Sequence, residues 1–392
     1  MIQTPILIIG AGPAGLMAAQ ELAAQGHQVH VYEQNKAAGR KFLVAGHGGF
    51  NLTHSESISS FVTNYDQPTI KKIVRAFDNQ YIINWLESIG VNTYVGSSGK
   101  IFPTKNTKPI QVLQAWLNHL KRLGVTIHYE HSLVDFTTQK VILKHHGALL
   151  EKSFSHLILG LGGGSWQKTG SDGKWVGPLA NKNIEINPLQ AANSGLNTVN
   201  SYADLEGKVL KNCQVSYENQ SKLGEIVFTK YGIEGSPIYY LNRSMRNKTF
   251  PLFIELDLKP SLLLEDIQNL LTSAQKISTL LKEKLHLSAT AIALLKKLDK
   301  QTYIDASQLA KMIKRFPIEV IGFRPIDEVI STAGGVCFTS LNEDLSFKSM
   351  PNIHCVGEML DWEAPTGGYL LQACFSTGAW VGRHIQQPES QK

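Results

Sequence analysis

The chain has 392 residues, 43% of them hydrophobic and 18% charged, with a formal net charge of +6. That length is too great for one simple core and predicts two or three lobes of a globular α/β protein. No run of about 18 apolar residues occurs, which excludes a membrane-spanning helix and a membrane partner of that kind.

The first predicted element is the apolar run Pro5–Ile9, which leads directly into Gly10-Ala11-Gly12-Pro13-Ala14-Gly15 and then a helical pattern from Leu16 to Ala24. Strand, G-x-G-x-x-G and helix in that order form the first half of a dinucleotide-binding βαβ unit. Gly10 permits the tight turn, Gly12 lets the backbone approach a pyrophosphate, and Gly15 lets the helix sit close to the strand. The helix start turns unpaired N–H groups and a partial positive charge toward the phosphates. Gln28–Tyr32 supplies a second strand that ends at Glu33, with Gln34 beside it. A carboxylate there accepts the hydroxyls of an adenosine ribose. Met1 runs straight into the first strand and leaves no room for a signal peptide, so a cytoplasmic location is expected.

A glycine-rich segment from Ala37 to His54 follows, then helical patterns over Pro68–Gly90 and Pro109–Gly124, with Trp85 and Trp116 at core spacing. Val125–Tyr129, Val141–Leu143 and Ser155–Gly160 read as strands, the last ending in Gly160-Leu161-Gly162-Gly163-Gly164. From about 189 to 260, short alternating segments such as Val209–Tyr217 predict an inserted β-rich substrate lobe. From 261 to 319 consecutive helical stripes predict an inserted helical lobe, with Ser261 and Glu265 near its first cap. Residues 1–188 and 320–392 then form one discontinuous nucleotide-binding domain. Lysines such as Lys282, Lys284, Lys296, Lys297 and Lys300 are dispersed and read as solvated helix faces. The four cysteines, Cys213, Cys337, Cys355 and Cys374, form no C-x-x-C pair and read as buried thiols. No His/Asp/Glu cluster has metal-ligand spacing, so no metal is expected.

The C-terminal part returns to strand–turn–helix. Asn352–Val356 runs into Gly357-Glu358, which places a carboxylate where it can bind a ribityl hydroxyl. Pro365-Thr366-Gly367-Gly368-Tyr369 then opens a long helix whose dipole suits a reduced flavin. Asp361 and Glu363 are weaker candidates beside it.

Four patches together resemble the HI0933-like (BaiN- or YhiN-type) family of FAD-dependent flavoproteins. They are Gly10–Gly15 with Glu33; Gly39-Arg40-Lys41 through Gly46-His47-Gly48 to Asn51-Leu52-Thr53; Phe228–Pro237; and Ser331–Val336 through Gly357–Asp361 to Thr366–Tyr369. Gly49 and Phe50 stand where the family pattern has Arg and Cys, and Lys230 where it has His, which marks a divergent branch. The resemblance implies a Rossmann-like FAD-binding domain of glutathione-reductase type with two inserted lobes. It implies FAD held by Gly10–Gly15, Glu33, Gln34, Gly39–Lys41, Gly46–Gly48, Asn51, Gly160, Gly162, Gly357, Glu358 and Gly367–Tyr369. Lys41, His47 and Asn51 are the catalytic candidates. The activity expected is hydride transfer from flavin to an activated double bond of a small molecule. Only one dinucleotide fingerprint occurs, so NAD(P)H, if it is the reductant, binds transiently against the flavin without a second Rossmann domain. The alternatives are a flavin-dependent RNA-modifying enzyme, such as a uridine reductase, and a flavin-binding sensor without turnover.

Overall fold

The computed structural model describes residues 4–44, 49–272 and 276–385. Contacts divide the chain into two compact units, Met1–Gln190 with Ser331–Lys392 and Ala191–Ile330.

The first unit is built on a six-stranded sheet in the order Ser346–Phe347, Met350–Cys355, Leu157–Leu159, Ile6–Ile9, Val29–Tyr32, Thr126–His128. All neighbours are parallel except the edge pair Ser346–Phe347 with Met350–Cys355. Ile6–Ile9 is buried along its whole length, as a central parallel strand covered on both faces must be. Helix Pro13–Ala24 starts with proline at its first position and has Gly12 as its N-cap. Against it lies the C-terminal helix Tyr369–His384, so closely that a Cβ at Gly378 would lie 2.3 Å from the Ala14 carbonyl oxygen.

The helical pattern over Pro68–Gly90 is two helices, Pro68–Ala76 and Asn79–Ser88. Asp78 divides them: its carboxylate accepts the Tyr81 amide at 2.9 Å and caps the second. Trp85 and Trp116 are in the core, as their spacing predicts.

The second unit is a closed barrel of antiparallel strands, running Leu196–Thr198, Gly232–Glu234, Gln220–Thr229, Val209–Tyr217, Leu252–Asp257, Phe316–Phe323. The separate lobes expected over 189–260 and 261–319 are one unit here. The last barrel strand follows the helices in sequence and pairs with both Leu196–Thr198 and Leu252–Asp257. The helices are thus an excursion between two barrel strands, and one hydrophobic cluster contains Ile226 and Ile254 of the barrel with Ile267, Leu294 and Ile313 of the helices. The unit therefore extends to Ile330 rather than ending at 319. The first of these helices is Leu264–Leu271, and the Ser261/Glu265 cap does not form. Asp266 instead accepts the Leu263 amide at 3.3 Å.

Two buried histidines at the first sheet, His27 and His156, give the fold a pH dependence. His27 Nε2, His156 Nδ1 and His354 Nδ1 are buried with no hydrogen-bond partner among the described residues. Burial, and then the neighbouring His354 and His27, push His156 down to about 4 from its ordinary 6.5, against the pull of Asp344. His27 is lowered in the same direction, chiefly by burial. A depressed histidine is more readily protonated in the unfolded chain, so its stabilisation is complete above pH 6.5 and declines as pH falls toward 4. Asp344, held low by its hydrogen bond to His354, loses its own contribution only at still lower pH. Thermal melts should show Tm falling steadily between pH 7 and 4.5, and His156→Phe should flatten that slope. An equally steep slope in the variant would refute the assignment.

Candidate functional site

A cavity of about 460 Å³ opens at the carboxyl ends of the central strands of the first unit. Ligands bind there in parallel α/β sheets, where helix N-termini and strand-end loops converge. Gly10, Ala11, Gly12, Pro13 and Ala14 line one wall. Gly10 has φ +103°, and a Cβ there would lie 2.3 Å from the Gly160 carbonyl oxygen. A Cβ at Gly12 would meet nothing within 4 Å. The first position is closed by protein, whereas the second is open. Gly15 does not line the cavity; a Cβ there would strike the Gly10 carbonyl oxygen at 2.1 Å, so its role is to seat the helix on the strand.

Glu33 is buried at the end of Val29–Tyr32. Its Oε2 accepts the Ala11 amide at 2.9 Å, and its Oε1 accepts the Asn35 amide at 2.9 Å and the Asn35 side-chain amide at 2.7 Å. Oε1 thus already accepts two hydrogen bonds, whereas Oε2 accepts one and retains acceptor capacity for a ribose hydroxyl. Gln34 also lines the cavity, and its amide donates to the Gly170 carbonyl at 2.7 Å. Gly39 and Arg40 line it as well, the Arg40 guanidinium donating to the Asn35 side chain. Tyr32, packed with its ring 4.6 Å from that of His128, completes this end.

At the other end, Lys41 Nζ lies 2.7 Å from Glu358 Oε2 and 2.8 Å from Ser165 Oγ. Glu358 Oε1 accepts the Thr332 amide at 3.1 Å. Glu358, expected to meet a ribityl hydroxyl, is therefore already the partner of a lysine and a main-chain amide, while still lining the cavity with Gly357. Gly160 and Gly162 line it too, and Trp175 donates its indole N–H to the Gly162 carbonyl at 2.9 Å. Cys374 lies here, its thiol pushed up to about 12 by burial and by the Glu358 charge, which keeps it protonated and unreactive at neutral pH.

Lys41→Met should leave the Glu358 carboxylate, 13% exposed, without its cation. A loss of about 1–3 kcal/mol is expected, reduced from the fully buried case because Lys41 is partly solvated. Urea unfolding should measure it, and Lys41→Met with Glu358→Gln should recover most of it. A double variant as unstable as the single would show that the pair is not the cause.

Several expected site residues fall elsewhere. Gly46, His47 and Gly48 lie outside the described residues. Asn51 does not line the cavity, its amide being bonded to the Gly49 carbonyl. Gly367, Gly368 and Tyr369 do not line it either. A Cβ at Gly368 would strike the Thr53 backbone at 2.6 Å, and Tyr369 is buried with its hydroxyl on Glu56 and its ring against Phe61. Asp361 accepts the Asn187 side-chain amide, and the Glu363 amide bonds Asp66. Sequence reasoning passed over Ser165, Ser171, Trp175 and Cys374. The serines sit in the dense Gly/Ser run from Gly160 to Gly173, which signals close backbone approach; Trp175 and Cys374 carry no local signal.

The donor set fits the adenosine diphosphate half of FAD. An open glycine faces the cavity beside a helix N-terminus whose first-turn amides have no intrahelical partner, and a buried carboxylate stands at the end of the strand Val29–Tyr32. Among the described residues no group of three or more His, Cys, Asp or Glu side chains is placed to hold a metal ion, and no helix is long and apolar enough to cross a membrane.

Comparison with known proteins agrees with this geometry. The chain is similar to a 3-dehydro-bile acid delta(4,6)-reductase of Clostridium scindens, 23% identical over 96% of this chain and 97% of that one. A shorter match, 30% identical over 104 residues and 26% of each chain, is to a ribosomal RNA dihydrouridine synthase of Haemophilus influenzae. Among solved structures, the 3-ketosteroid-delta4-(5alpha)-dehydrogenase of Rhodococcus jostii RHA1 shares the fold, with a TM-score of 0.53 at 14% identity over 97% of this chain and 95% of that chain. The HI0933-like protein Rossmann domain matches residues 4–384, nearly the whole chain, and the protein belongs to that family.

Proposed function

We propose that this protein is an FAD-dependent oxidoreductase that saturates a carbon–carbon double bond conjugated to a carbonyl group of a small molecule, with NAD(P)H as the transient reductant. The observation that carries the reading is the cavity wall itself: open Gly12 at the helix start, with Glu33 pinned by the Ala11 amide 2.9 Å away. In this reading Gly10–Ala14 and Glu33 hold the adenosine diphosphate half of the cofactor. Arg40 and Gln34 flank it, while Lys41 and Glu358 form a neutral pair at the far end. Bound FAD supplies hydride chemistry; the protein contributes orientation and electrostatics.

The relative from Clostridium scindens supports the reductase assignment and the small-molecule class, since its similarity runs the length of both chains. The name of the Haemophilus influenzae relative also denotes addition of hydrogen across a double bond, but the match covers only a quarter of either chain. A small molecule is therefore the favoured substrate.

The test begins with purified protein reconstituted with FAD. Absorption bands near ~370 and ~450 nm, bleached anaerobically by NADH or NADPH and restored by 2-cyclohexen-1-one, are the expected result. Restoration by uridine-containing RNA and not by enones would move the substrate to RNA. Failure to retain FAD would sink the reading.

A further inference from the structure

Part of the cavity wall is a loop to which the reading above gives no role. After the strand Leu157–Leu159 the chain leaves the sheet through Gly160–Gly164 and comes back at Trp175. Two bonds close the base of this excursion. The Gly173 amide donates to the Gly163 carbonyl at 3.1 Å, and the Trp175 indole donates to the Gly162 carbonyl at 2.9 Å. Trp175 is buried, which anchors the base in the first unit. A loop whose ends meet in this way can swing as one piece about them.

The tip is a single turn, Gln167–Thr169, set between two left-handed residues, Trp166 with φ +62° and Gly170 with φ +104°. A bulky residue in that region carries backbone strain, which persists only where the surroundings hold it. The Trp166 ring is exposed, so its burial is not what holds the turn. Two side chains just beyond the strand Val29–Tyr32 reach across to it. Gln34 Nε2 donates to the Gly170 carbonyl at 2.7 Å, and Asn35 Nδ2 to the Thr169 carbonyl at 3.4 Å. A Cβ at Gly170 would lie 2.5 Å from Asn35 Nδ2 and 3.1 Å from Gln34 Nε2, so glycine is what lets both amides approach. Lys41 Nζ steadies the flanks, 2.8 Å from Ser165 Oγ and 3.4 Å from Ser171 Oγ. Thr169, Gly170, Ser171 and Asp172 line the same cavity as Glu33 and Gln34.

We propose that residues 164–173 are a lid on the adenosine diphosphate end of the cofactor site, latched shut by Gln34 and Asn35, and that the cofactor enters and leaves when the latch opens. The proposal rests on the FAD reading. Gln34 is on this view a positioning residue that acts through the loop. A latch of neutral amide–carbonyl bonds suits the task, because each contributes little net free energy and breaks readily. Opening also relieves the strain at Trp166, while the clamped base brings the loop back.

The latch has a kinetic signature. Its bonds join protein to protein, with or without cofactor, so loosening it raises the open fraction of free and loaded protein alike. Entry and exit then accelerate together, and their ratio, the affinity, is preserved. A side chain that touched the cofactor would instead change exit and leave entry nearly as it was.

The test is stopped-flow flavin fluorescence on the full-length protein, which gives entry and exit rates of FAD, with hydrogen exchange of the cofactor-free protein as a second readout. Gln34→Leu should raise both rates about tenfold, as expected for loss of one hydrogen bond, and leave Kd within about threefold of the parent. Gly170→Ala, whose methyl group displaces both latch amides, should show the same pattern. In Gln34→Leu the Thr169 and Gly170 amides of the turn should exchange faster, and the Gly173 amide at the base should not. Exit that rises without entry would make Gln34 a cofactor contact and overturn the proposal. Parental rates in both variants, or faster exchange at Gly173 as well as in the turn, would overturn it too. With FAD bound, these outcomes count against the lid alone. A parent protein that binds no FAD overturns the lid together with the reading on which it rests.

Discussion

Gly12→Asp is expected to fold with near-parental Tm and to lose at least about 100-fold in FAD affinity. The open space around a Cβ at Gly12 admits the side chain without displacing protein. Its carboxylate then stands where phosphate charge is proposed to lie. Two like charges about 4 Å apart near a protein surface repel by about 4 kcal/mol, more than the ~2.7 kcal/mol of a hundredfold change. Gly10→Ala should behave in the opposite way. Its Cβ overlaps the Gly160 carbonyl oxygen at 2.3 Å, and φ of +103° is hostile to any L side chain. Backbone on both sides leaves nothing to rotate away, so a destabilisation of about 2–4 kcal/mol is expected, with cofactor lost because the turn itself moves. Paired Tm measurements and FAD titrations separate the two variants. A Gly12→Asp protein that keeps yellow colour and full affinity would remove the pyrophosphate from this wall.

Gln20→Leu should be among the most destabilising single changes in the first unit. Gln20 Oε1 accepts the indole N–H of Trp85 at 2.8 Å and that of Trp116 at 3.0 Å, and all three side chains are buried. Leucine is of similar size but accepts nothing, so two buried donors are stranded together. At about 1–3 kcal/mol for each orphaned group, the expected loss is about 2–6 kcal/mol, readable by urea unfolding. The change lies on helix Pro13–Ala24, away from the cavity lining, so FAD affinity in native conditions should hold. A loss under about 1 kcal/mol would mean that water satisfies both indoles.

Trp85 and Trp116 also mark where sequence reasoning reaches its boundary. Their helical spacing places both in a core, and both are there. Nothing local says that a glutamine some 65 and 96 residues earlier is their common acceptor. Asp78 shows the same boundary at shorter range. The apolar stripe continues across it, and only the non-helical geometry at Phe77 and Asp78 reveals two helices instead of one.

By itself the sequence determined the glycine turn, the strand that ends in Glu33 and the apolar periodicities, because each depends on neighbours within a few turns of chain. Steric freedom at Gly10, an open backbone at Gly12 and strand burial at Ile6–Ile9 are local requirements that leave a local pattern. The tertiary structure alone decided that the barrel and the helices are one unit, because the closing strand Phe316–Phe323 lies some 120 residues beyond its partner Leu196–Thr198. It alone decided that Glu358 is paired with Lys41, 317 positions away, and that Gly368 and Tyr369 are buried against Thr53 and Phe61 instead of facing the described cavity. Long-range pairing has no period to read. It is set by which surfaces the packed sheet and barrel bring together, and that is a property of the fold and not of any window of residues.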